Sequence, residues 1–98
     1  MHKTGTYAGA TGDNRNIDIG IDLASKDNVY VIIKSSGTHG GVHRTEYGQG
    51  DLTMSFTNIA DLADRIQGLT STGFQVGDAP EVNDLTYTYR YIAFWTEP

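Results

Sequence analysis

Ninety-eight residues set the size of one domain, long enough for a two-layer fold that buries a little over ~60% of its unfolded surface. The chain has no cysteine, so thiol catalysis, Cys-ligated zinc and disulfide staples are excluded. Twelve acids against seven bases give a net charge of -5, which disfavours nucleic acid and anionic membranes as partners.

The segment MHKTGTYAGATG at the N-terminus lacks the apolar run of a signal peptide, and no stretch reaches transmembrane length. Residues 1–12 are expected to be an arm or a first edge strand, with 13–98 forming one sandwich domain. In Ile17-Asp18-Ile19-Gly20-Ile21-Asp22 the isoleucines alternate with polar residues, the pattern of a strand with one face on a core. A turn follows at 25–28. Val29-Tyr30-Val31-Ile32-Ile33-Lys34 is apolar on both faces and reads as a central strand covered on both sides.

Residues 35–41 have loop composition, and Val42 to Tyr47 suits another strand, ended by Gly48-Gln49-Gly50-Asp51. Leu52, Met54 and Phe56 alternate with Thr53 and Ser55, so this stretch is expected to bury its apolar side. Between Asn58 and Ile66, the residues Ile59, Leu62, Ala63 and Ile66 fall at i, i+3, i+4, i+7. That spacing predicts a short helical turn near 58–66, with a strand as the alternative. Thr72–Gly77 reads as a short strand, 78–84 as a connection through Pro80, and Leu85–Trp95 as the longest strand. The expected fold is all-β: a compact antiparallel sandwich of about six to seven strands.

Tyr87, Tyr89, Tyr91 and Trp95 share one face of that last strand. Three phenols are many for a dry interior, so the stripe is the candidate interface or ligand-stacking surface, set against an ordinary place in the core. Asp13, Asp18, Asp22 and Asp27 lie close in sequence but lack the spacing of a calcium loop, and turns or a solvated face account for them. His39 and His43 would stand about 13 Å apart on a straight strand, too far to share a metal unless Gly40-Gly41 folds them together; His2 is near the chain end. No nucleophile motif or phosphate-cradling loop is present. No catalytic residue, cofactor or metal is expected.

The segment from Thr4 to Arg15, reading TGTYAGATGDNR, resembles the opening of small β-domains encoded in tailed-phage and prophage genomes. Further along, Val29–Lys34, Arg44-Thr45, Gly73-Phe74-Gln75-Val76-Gly77, Glu81-Val82-Asn83 and Tyr89–Phe94 keep the order of that pattern. Ser25-Lys26-Asp27-Asn28 departs from its usual Pro-Asp turn. The resemblance implies a virion structural protein, chiefly a capsid decoration or cement protein located on the particle. Its implied partners are copies of itself, with a homotrimer favoured, and the major capsid protein or another virion component. A broader likeness to H-type lectin sandwiches implies the alternative, a glycan-binding or head or tail fibre module. Neither implies catalytic residues.

Overall fold

The computed structural model describes residues 1–47 and 50–98. Gly48 and Gln49, in the turn expected after the fourth strand, lie outside the described residues. The described residues form eight strands in two antiparallel sheets with one 3₁₀ turn, Leu23–Ser25. The strands are β1 (His2–Ala8), β2 (Arg15–Asp18), β3 (Asp27–Ser35), β4 (Val42–Thr45), β5 (Met54–Ser55), β6 (Ile66–Leu69), β7 (Gly73–Val76) and β8 (Thr88–Thr96). The larger sheet has the order β1-β8-β3-β4-β5 and the smaller β2-β7-β6. It is an all-β sandwich, as the alternation predicts.

The interior forms where β3 and β8 turn alternate residues toward the smaller sheet. Val29, Val31 and Ile33 from β3 meet Tyr89, Tyr91, Ala93 and Trp95 from β8, with Phe74 and Val76 opposite. These side chains are buried, and each apolar group removed from water contributes in proportion to its area. The two strands are central in their sheet, but the smaller sheet covers only one of their faces. Tyr30, Ile32 and Lys34 are therefore half-buried and Arg90 and Phe94 exposed, which corrects the expectation of cover on both sides.

β2 is shorter than the isoleucine pattern predicts. Its pairing with β7 ends at Asp18, where Gly20 adopts a positive φ of 76° and the Ile19 and Gly20 amides both donate to the Thr72 carbonyl. Ile17 and Ile19 still reach the core, while the chain turns through Leu23, which is fully buried.

Two expectations fail between β4 and β6. Leu52–Phe56 was expected to bury its apolar side, yet Thr53 points inward at 1% exposure and Phe56 is 58% exposed. The reason is a backbone need: the Thr53 hydroxyl donates to the buried Ile66 carbonyl at 2.9 Å. The helical turn expected at 58–66 is absent; the fold's helical turn lies at 23–25 instead. Thr53 and Leu62 exchange two backbone hydrogen bonds as an isolated bridge, and the rest of the segment bends, with Asp64 at a positive φ of 61°, before β6 begins at Ile66. A helix of this length repays its nucleation poorly, and Ile59 lies exposed instead of sharing a buried stripe with Ile66.

Polar side chains stitch the layers together. Arg44, on β4, reaches across to the carbonyls of Leu52 and Ile66, and burial lowers its guanidinium pKa despite nearby Asp51. The buried Asn83 accepts from the Ala10 amide and Arg15 and donates to the Gly12 carbonyl, pinning the loop after β1.

Candidate interaction surface

The aromatic stripe lies inside the sandwich. Tyr89 is fully buried, Tyr91 is 8% and Trp95 7% exposed. The Tyr89 phenol donates to the Pro80 carbonyl and accepts from the Asp84 amide, both at 2.7 Å, and its ring stacks on Tyr7. Tyr91 meets Phe74 edge-on. Tyr87, half-buried before β8, lies over Gly37 and against His39. A buried phenol is accommodated where it meets backbone groups at the rim of the core, as Tyr89 does and as Tyr7 does in donating to the Val82 carbonyl. Burial raises the pKa of Tyr7, Tyr89 and Tyr91, reinforced for Tyr7 by the neighbouring Tyr89, so these phenols keep their protons. The stripe builds the interior and presents no stacking platform.

The surface the fold leaves open is the other face of the five-stranded sheet. Cross-strand partners share a face, so the register defines its rows. One row runs His2, Phe94, Tyr30, Thr45; the next Thr4, Ile92, Ile32, His43, Met54; the third Thr6, Arg90, Lys34. The rows join through side-chain contacts. The Tyr30 hydroxyl and His43 Nδ1 are 2.8 Å apart, and the His43 ring stacks on Phe56 with centroids 4.1 Å apart. Phe94, 39% exposed, lies beside His2.

These three rows contain no carboxylate, although the chain carries twelve acids; a further row on the same face, Asp27 with Thr96, brings one to the end beyond Phe94. Lys34 and Arg90 are direct cross-strand partners, a like-charge pair that costs energy in isolation. Lys34 relieves part of that cost by donating to the carbonyls of Ser35 and Gly37. The face thus combines an aliphatic and aromatic centre with a cationic border. Chemically it can exclude water against an apolar partner and attract a negative rim.

The acids group differently from their order in sequence. Asp18, Asp22 and Asp27 stay apart, with Asp18 accepting from the Gly20 amide. Asp13 instead converges with Asp64 and Asp78, ligand oxygens lying within 4.8 Å of one another. Asp64 has its pKa raised, first by desolvation and then by the charges of Asp13, Asp78 and Asp51. Sequence reasoning missed Asp64 and Asp78 because they belong to separate connections that only the fold joins. His43 belongs to the open face and His39 packs on Tyr87, so the two do not form a shared site.

Comparison with protein-family models, with curated proteins and with solved structures finds no match to this chain.

Proposed function

We propose that this chain is a virion structural protein of the tailed-phage kind, a decoration or cement protein that docks on the outer capsid surface through the open face of its five-stranded sheet. The observation that carries this reading is that face: Tyr30, Ile32, Ile92 and Phe94 left uncovered by the sandwich, bordered at one end by the Lys34–Arg90 pair, with Asp27 only at the opposite end. The sequence resemblance supplies the virion context. A rigid sandwich suits the role, since many copies of a modest interface accumulate avidity across a symmetric shell. An acidic patch on the major capsid protein would complement the cationic border.

The test is sedimentation of density-purified particles from cells expressing the tagged chain. The wild type is expected to travel with the particles, and Phe94→Glu and Arg90→Glu to remain in the supernatant while keeping the wild-type melting profile. Absence of the wild type from purified particles would overturn the reading.

A glycan-binding module is the second reading, favoured by the exposed rings of Phe56 and Tyr47, the latter 83% exposed. It rests on these outer rings, since Tyr89, Tyr91 and Trp95 are interior. Glycan-array binding abolished by Phe56→Ser, with no particle association, would select it over the first.

A further inference from the structure

We infer that β1 is a self-pairing edge: two copies of this chain join β1 to β1 in antiparallel fashion about a two-fold axis at Gly5, forming one continuous ten-stranded sheet. This concerns a different surface from the capsid-docking face and stands independently of it.

The backbone pattern supplies the first argument. Met1 and Trp95 exchange both backbone hydrogen bonds, and the Gly9 amide donates to the Tyr87 carbonyl. In an antiparallel pair such bonds recur at every second residue, so Lys3, Gly5 and Tyr7 also point their backbone groups toward β8. His2, Thr4, Thr6 and Ala8 then point theirs away from the sheet. Among the described residues no strand pairs with that side. The Ala8 carbonyl is met by Arg15, which leaves the outward groups of His2, Thr4 and Thr6 for a partner.

From His2 to Thr6 the edge is also unguarded. It runs seven residues, against two for β5 and four each for β2 and β6, the other sheet edges. It contains no proline, and the ladder to β8 runs without a bulge. Natural edges are commonly protected by a charge; Arg15 covers the Ala8 end, and Lys3 is the one charged side chain borne by β1 itself. Its ammonium is engaged with the Ile19 carbonyl of the other layer.

Registry and charge select a second copy as the occupant. A two-fold at Gly5 uses all seven residues and makes Thr4 opposite the other copy's Thr6 a hydrogen-bonded pair. Gly5 then faces its own equivalent at a non-hydrogen-bonded position, where backbones approach to about 4.5 Å and a missing side chain helps. Lys3 falls opposite Tyr7, so no like charges meet. Beneath β1, strand β2 runs the opposite way, with Arg15 level with Ala8 and Ile19 level with Lys3. The same axis therefore sets the Asp18 end of one β2 level with the Arg15 end of the other, opposite in charge on both sides.

Sedimentation velocity of the full chain over a dilution series tests this, with Thr4→Pro and Thr6→Pro as variants. Each proline removes an outward N–H and leaves the ladder to β8 intact. The wild type is expected to form a dimer. The double variant should dissociate roughly 30-fold more readily, as two duplicated backbone bonds are lost. Hydrogen exchange gives a readout without substitution: the Thr4 and Thr6 amides should be slow in concentrated wild type and fast on dilution, while Gly5 and Tyr7 stay slow in both. Phe94→Glu, which tests capsid docking, should leave the dimer unchanged. A wild type that stays monomeric or sediments as a trimer overturns the inference, as do fast Thr4 and Thr6 amides in the associated state. Dissociation by Phe94→Glu would likewise move the self-contact to the open face.

Discussion

The ring of Tyr91 occupies the space where a side chain at Gly5 would stand: a Cβ there would lie 2.7 Å from its hydroxyl oxygen and 2.8 Å from Cε2. The two residues are cross-strand partners on β8 and β1, so the small residue on the edge strand makes room for the large one in the core. Gly5→Ala must push the Tyr91 ring toward Phe74. It is expected to lower stability by about 1–3 kcal/mol, the range for overpacking. Combining it with Tyr91→Phe should recover only part of the loss, because ring carbons remain in the way. Urea unfolding of the four proteins of this cycle measures the coupling, and strict additivity would show that the contact carries no strain.

The Tyr89 phenol ties the deepest part of β8 to the 78–84 connection, bonding both Pro80 and Asp84. Tyr89→Phe keeps the ring and removes both bonds, leaving the Asp84 amide without this acceptor. A loss of about 1–3 kcal/mol is expected, together with faster hydrogen exchange at Asp84. A variant as stable as the wild type, with the amide still protected, would mean that the connection is held by its other contacts, among them Asn83, Glu81 and the Tyr7 hydroxyl on the Val82 carbonyl.

Period-2 alternation carried most of the fold into view, because Val29, Val31 and Ile33 and the Tyr89–Trp95 series bury every second residue in a fixed interior. It did not reveal which apolar faces were covered. Tyr30, Ile32 and Ile92 look the same in sequence whether a second layer covers them or a partner does, so the open face emerged only with the register. Thr53 and Phe56 exchanged their expected places because a buried carbonyl at Ile66 outweighed the apolar pattern. The helical spacing at 58–66 came from a window too short to separate a helix from an irregular connection with chance apolar residues. Tyr89, Tyr91 and Trp95 share a face of β8 while Tyr87 precedes it, and the burial of Tyr89 depends on a carbonyl and an amide that lie in another segment.

Alkaline titration should divide the six tyrosines. Burial raises the pKa of Tyr7, Tyr89 and Tyr91 in the folded state, so the folded protein binds these protons more tightly than the unfolded chain. Their contribution to stability is complete below the unfolded phenol value and declines as pH rises beyond it. Phenolate absorbance is therefore expected to rise for these three only as circular dichroism reports unfolding. Smooth ionisation of all six with the sheet intact would contradict the burial of their hydroxyls.

The Asp13, Asp64 and Asp78 group gives a pH effect of definite sign. Desolvation and the neighbouring charges hold the Asp64 carboxyl above its ordinary value in the folded state, with Arg65, paired to Glu81, opposing them in part. The folded chain thus keeps this proton where the unfolded chain has released it. The group's contribution is most favourable below the unfolded carboxyl value and is lost as pH rises through the raised folded one. Asp64→Asn removes the charge, and asparagine tolerates the positive φ of 61° at this position. The variant is expected to melt above the wild type at neutral pH, with the gain shrinking in high salt and disappearing in acid, where Asp64 is protonated. Thermal melts of both proteins across pH and salt measure it. A gain that ignores pH would assign the effect to local backbone preference, and a loss at neutral pH would show that mutual repulsion does not dominate among these three carboxylates.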